Sequence, residues 1–299
     1  MPNIYFAKLN INSKIYDVYK NPNLADEILK KLFISLDQDK KLKPDNEKSV
    51  WIKFINLEKS YTNYTVAGRL VKIFDDDIEV YDSRKDDVSP LSTKELAKSV
   101  TFYLDLKNEI VAFTTSKLLG RKQFVEFFRD LINSYSDENK FEVFVINNKY
   151  TLKEQLKNFK VISKADILLV PPNSNEEEFM DLFPKTGDEI KDTRATKIEQ
   201  SFSASIKENG LNIKSKFFER IINGVSNGFG ILKVIGKNNE DEKYSITSTD
   251  DAPQKRFIPT NEKDSISAIK ERGRAGIISI LAMRENEKVK ENYTKKDIR

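Results

Sequence analysis

The sequence contains no cysteine and no histidine. Without thiols there can be no disulfide, no thiolate-bound zinc, no iron–sulfur cluster and no cysteine nucleophile. Without imidazole there is no Ser-His-Asp triad, no zinc-protease helix and no histidine general base near neutral pH. Any catalysis would fall to carboxylates, Lys, Arg, Tyr, Ser or Thr. Also missing is any run close to the roughly 20 apolar residues of a membrane helix, and Met1–Lys14 lacks the basic-then-apolar layout of a secretory signal. A soluble, cytoplasmic chain with no membrane contact and no cofactor is expected on these grounds.

What is present is 299 residues, 38% hydrophobic and 33% charged, with 19 Phe and 11 Tyr. Enough large apolar side chains exist to offset the ordering entropy of one large or two ordinary domains. The abundance of Lys, Asn and Ile is that of an AT-rich genome and points to a bacterial or phage source.

Period-two alternation in "NIYFAKLNI" and "VWIKFINLEK" predicts strands, with the single Trp51 expected in the core. Between them, "NLADEILKKLFISL" places Leu24, Ile28, Leu29, Leu32 and Phe33 at helical spacing behind an Asn23 cap. Tyr64–Ile73 reads as a further strand with a glycine bulge, followed by a charged loop with a short strand in "DDDIEVYDSRKDDVSP". "VTFYLDL" and "EIVAFTT" form a hairpin, and Phe124, Phe127, Phe128, Leu131, Ile132 and Tyr135 make one apolar face of a helix that must lie on a sheet. A strand "FEVFVI", a helix near Leu152–Leu156 and a strand "ADILLV" complete a ββαβαβ order, which predicts an α+β sandwich of ferredoxin-like character over residues 1–173.

The polar, acidic stretch 174–192, broken by Pro184 and Gly187, is expected as a linker. Beyond it, 193–299 should form a smaller helix–helix–β-hairpin domain with a charged tail. Its helices run from about Thr193 to Glu208 and Ser215 to Ser226, each stopped by Asn-Gly.

Gly228, Gly230 and Gly236 in "NGFGILKVIG" invite comparison with a phosphate loop. Such a loop follows a strand and opens a helix, so that its backbone amides meet an anion at the helix N-terminus. Here the order is reversed, helix then strand, and the trailing Lys-Ser/Thr is missing. The segment reads as a hairpin with its tip at Gly236–Asn239 and "KYSITST" returning.

From Lys207 onward the chain holds 19 Lys and Arg against 14 Asp and Glu, while the preceding 206 residues hold 32 against 33. Positive charge therefore gathers in the C-terminal third. Lys233, Lys237, Lys255, Arg256, Arg272 and Arg274 are the candidate phosphate contacts, since each such cation neutralises a phosphate and releases counterions. The alternative is ordinary solvated surface. A second anion site is suggested by Lys117, Gly120, Arg121 and Lys122 at the start of the phenylalanine-rich helix, against a plain solvated capping loop.

Three acidic runs could serve as magnesium ligands: Asp75–Asp77 with Glu79, Glu176–Glu178, and Asp250-Asp251. Consecutive acids point in different directions, whereas a metal needs carboxylates converging from separate elements. The nearest approach to a metal-dependent nuclease motif is Asp241, Glu242 and Lys243, placed in a turn and not mid-strand. The Glu176–Glu178 run reads better as the first turn of a helix.

Two stretches, "VTFYLDLKNEIVAFTT…FVEFFRDLI" closing in "VPPN", and "INGVSNGFGILKVIGKNNEDEKYSITSTDD", resemble uncharacterised bacterial domain families carried on prophages and in phage-defence loci. The resemblance spans about Trp51–Asp251 and brings no catalytic residue. It implies a setting in anti-phage defence, where the chain binds nucleic acid or a protein partner; the alternatives are a nuclease built on carboxylates and lysine, or a structural subunit.

Overall fold

A computed structural model describes residues 2–84, 86–173, 176–205 and 209–296, with side chains for all of these except 76–82, 89–95 and 288–296. The chain opens with β1 (Asn3–Ile11), α1 (Ile15–Lys20) and α2 (Asn23–Ser35), then β2 (Lys41–Leu42), β3 (Trp51–Ser60), β4 (Thr65–Asp82), β5 (Asp87–Asp105) and β6 (Ile110–Phe113). There follow α3 (Arg121–Ser134), β7 (Phe141–Val145), α4 (Lys149–Lys157), β8 (Phe159–Leu169), α5 (Glu176–Leu182), α6 (Gly187–Asp192) and β9 (Ile198–Ser203). Last come α7 (Lys216–Ser226), β10 (Gly230–Asn238), β11 (Lys243–Thr247), α8 (Ser248–Asp251), β12 (Lys255–Phe257) and the long α9 (Ile266–Lys296).

These strands form two antiparallel sheets. The larger has eight strands in the order β12-β1-β6-β5-β4-β3-β2, with β7 pairing β1 beyond β12; the smaller runs β11-β10-β8-β9. β1 is central because both its faces are apolar. Ala7, Leu9 and Ile11 join the core under α2 and α3, while Ile4 and Phe6 belong to the cluster under α9. The apolar stripe of α3 is buried as its spacing predicts: Phe124, Phe127, Phe128, Leu131 and Ile132 are each at most 1% exposed. Phe124 stacks on Phe113 with ring centroids 3.9 Å apart, and Phe128 meets Phe54 and Phe102 edge-on. Full burial of a side chain of this size contributes about 1.5–3 kcal/mol, so this one face anchors the larger sheet. A second core lies between the smaller sheet and α4, α5 and α7, built on Leu152, Phe179, Phe218, Ile221, Val225, Leu232 and Val234.

The architecture is α+β, but several expectations need correction. First, the ββαβαβ run of β5, β6, α3, β7, α4 and β8 does not close into one ferredoxin-like sheet. β1 takes the place beside β6, β7 pairs β1, and β8 leaves to pair β9 and β10. Secondly, the helix expected over Thr193–Glu208 is in its described part a strand: Ile198–Ser203 pairs β8 residue for residue and alternates half-buried with exposed. Phe202 lies on that inner side against Phe217 and Phe218; the C-terminal part is therefore not a helix–helix–hairpin unit. Thirdly, the charged segment after Ile73 is not a loop. β4 and β5 stay paired from Thr65–Asp105 to Asp82–Asp87, with a bulge between Phe74 and Asp76. At about 3.4 Å per residue the paired ribbon is roughly 60 Å long, and its part beyond Ile73, past the last β3 pairing, projects as an arm of roughly 30 Å. Finally, Asn23 does not cap α2 but lies inside it, after Pro22.

The stretch 174–192 carries α5 and α6 in its described part, with Phe179, Leu182 and Phe183 buried in the second core. After the smaller sheet, the chain returns to the larger one through β12 and α9. Asparagines stitch the two sheets together. Asn10 donates from Nδ2 to the Gly228 carbonyl (3.0 Å), Asn147 to that of Val225 (2.8 Å), and Asn173 both donates to Leu9 O (3.0 Å) and accepts from Ile11 N (2.7 Å).

The turn between α7 and β10 is part of this seam. Gly228 adopts a left-handed φ of +81°, and a Cβ there would lie 2.6 Å from the Lys8 Cβ. A Cβ on Gly230 would overlap the Leu168 carbonyl across the β8–β10 pairing. These glycines end a helix and let strands approach. Gly236 lies inside β10 opposite Tyr244, so the hairpin tip is Asn239–Glu242, beyond the expected position.

Candidate nucleic-acid interface

The six C-terminal cations fall in three places. Lys233 and Lys237 stand on β10, opposite Thr247 and Lys243 in the smaller sheet. Lys233 is exposed beside Asp166, whose carboxyl is held below its ordinary pKa by hydrogen bonds from Lys164 and Ser201, with the Lys233 charge adding to them. Lys237 is half-buried. Arg272 and Arg274 lie on α9. The Arg272 guanidinium donates to Glu262 at 2.8 Å, and Arg272 is the one member of the six with a carboxylate partner within ion-pair distance among the described residues.

Lys255 and Arg256 occupy β12, the edge of the larger sheet. Pairing sets Lys255 opposite Tyr5, Arg256 opposite Ile4 and Phe257 opposite Asn3. Alternation sends the first and third to one face of the sheet and Arg256 to the other, the face that carries α9. All three side chains are exposed, Phe257 at 52%. Tyr5 also receives the Arg121 guanidinium 5.0 Å above its ring, so the basic corner before α3 meets the β12 edge. Arg121 further donates to the Asp250 carbonyl (3.0 Å). The corner of Lys117, Gly120, Arg121 and Lys122 is thus tied through Arg121 to the β12 neighbourhood, and Arg121 also meets the Asp250 carboxylate at 4.0 Å.

The acidic alternative does not assemble. Asp241 sits in the β10–β11 turn at φ +62° and pairs with Lys160 at 2.7 Å, while Glu242 hydrogen-bonds Asn238. No group of three potential metal ligands converges among the described residues. Side chains 76–82, which include most of the Asp75–Glu79 run, lie outside the described set.

A second aromatic–cationic surface was not foreseen. Trp51, expected in the core, is 39% exposed. Its strand alternates as predicted, but the buried parity is the even one: Ile52 and Phe54 point inward, at 0% and 1% exposure. Trp51 and Lys53 therefore face outward, on the α9 side of the sheet. Lys41 and Lys43 place their ammonium groups 5.2 and 5.0 Å from the Trp51 ring centroid. The lysine-rich approach "DKKLKPD" just before the strand was the available signal.

A family model described as a domain of unknown function, DUF4747, matches residues 3–274. The chain belongs to the DUF4747 family. The matched span runs from the first residue of β1 into α9 and so takes in both sheets, β12 and all six candidate cations. No curated protein matches the chain. Among the described residues, no helix is long and apolar enough to cross a membrane.

Proposed function

We propose that this DUF4747 chain binds nucleic acid along the β12 edge of its larger sheet. The observation that carries the reading is β12 itself. Two cations without carboxylate partners among the described residues, Lys255 and Arg256, straddle an open sheet edge, and an exposed aromatic ring follows them. A phosphate chain running along such an edge meets a cation on each face, and a base can lie on Phe257. Arg274, exposed on α9, extends the positive surface on the Arg256 face, and Lys233 adds a contact on the smaller sheet.

The contacts named are to phosphate and to a base face, so affinity should come from phosphate contacts and depend little on sequence. The test is fluorescence anisotropy of labelled oligonucleotides of unrelated sequence, with the full chain at low and at physiological salt. Comparable affinities that weaken steeply with salt support the proposal; no binding at low salt overturns it.

A further inference from the structure

We infer that Trp51 is a stacking platform for an unpaired base, and that the nucleic acid bound is therefore single-stranded. This rests on the reading above and names its ligand class. Register places the platform on an open stretch of sheet: Lys41 pairs Lys53, Lys53 pairs Val71, and Trp51 pairs Ile73, so all of these side chains share one face. That face is the one α9 covers further along, where Gly273 lies against Ala112 and Tyr103 and Gly276 against Phe6. α9 packs over β4, β5, β6 and β1, which leaves the Trp51 ring open.

The surroundings of the ring select the occupant. Among the described residues, Lys43 and Lys53 have no carboxylate within ion-pair distance, and the ammonium groups of Lys41 and Lys43 lie 5.2 and 5.0 Å from the indole centroid. The Lys43 and Lys53 ammonium groups favour an anion beside them, and an indole face favours a second flat π system. A nucleotide supplies both, phosphate for the lysines and base for the ring. Duplexes hide their base faces inside the stack, whereas a single strand offers them.

Trp51 is the chain's only tryptophan, so intrinsic fluorescence reports on this ring alone. The full chain is titrated with a mixed-sequence single strand, as DNA and as RNA, with the matching duplex, and with polyphosphate, which has the charge and no bases. Anisotropy of the labelled oligonucleotides is read in parallel. Both single strands should quench Trp51 and polyphosphate should not. Trp51→Ala should lower single-strand affinity roughly 5- to 100-fold, leave duplex affinity and the melting temperature unchanged, and be largely rescued in Trp51→Phe. Should Trp51→Ala fail to fold, the wild-type titration decides alone. Single-strand binding by anisotropy without quenching, or equal quenching by polyphosphate, overturns the platform and leaves the nucleic-acid reading standing. No binding of any oligonucleotide overturns both.

Discussion

At the scale of single residues, the most constrained place is the buried polar junction where the two sheets meet α9. Lys8 and Glu109 form an ion pair at 2.6 Å with side chains 9% and 11% exposed, and Lys8 also donates to the Asn108 carbonyl. Arg284, from α9, donates to the Asn227 carbonyl at 2.9 Å, and burial pushes its guanidinium below its ordinary pKa. Removing one member of a buried pair leaves an uncompensated charge. Lys8→Met should therefore cost about 3–5 kcal/mol in denaturant unfolding, and Lys8→Met/Glu109→Leu much less. A second residue-scale effect concerns Glu142 on β7. Burial pushes its carboxyl above the ordinary value, partly offset by the charges of Arg129 and Lys197. A carboxyl whose folded pKa is raised destabilises the fold where it is ionised, above the folded pKa, and the penalty vanishes as pH falls below the unfolded value. Glu142→Gln should thus be more stable than wild type at pH 7, and melting curves should converge as the pH approaches 4.

Elements with one apolar stripe were readable from spacing alone. α3 has such a stripe, and its expected core residues are buried; α7 forms where expected, with Phe218, Ile221, Ile222 and Val225 buried. β9 was missed because its short run "IEQSFS" leads toward an Asn209-Gly210 stop that suggests a helix end. Only pairing with β8 and the contact of Phe202 with α7 make it a strand. The β4–β5 arm was missed for a related reason: charged residues fill its alternation, and the ladder of backbone hydrogen bonds holds it extended without an apolar pattern. The departure of β8 into a second sheet depends on which neighbour wins the edge of β1, a long-range competition that local spacing does not encode. α9 shows how an element's packing can rest on small residues. Gly276 lies on the Phe6 ring, where a Cβ would collide. Gly276→Val should lift α9 from β1, cost about 1–3 kcal/mol by overpacking, and speed hydrogen exchange in β1 and in α9 around position 276. Unchanged exchange with unchanged stability would show that α9 is held elsewhere.

For the whole molecule, the candidate site was legible as charge and not as place. The excess of Lys and Arg after residue 207 pointed to the C-terminal third of the chain. The fold then dispersed those residues over the smaller sheet, the β12 edge and α9, and it added a tryptophan surface from the N-terminal part that the charge count could not indicate. The central claim is that unpaired cations at the β12 edge and on α9 contact phosphate. It is tested most directly by the salt dependence of single-strand affinity for wild type and for Lys255→Ala/Arg256→Ala/Arg274→Ala. These side chains are exposed, and losing exposed charges should move stability by no more than about 0.5 kcal/mol each. Plotted as log affinity against log salt, the variant's line should be shallower by about 2, roughly 0.7 for each lost contact. Two lines of equal slope and height, from proteins with the same melting temperature, would contradict the account.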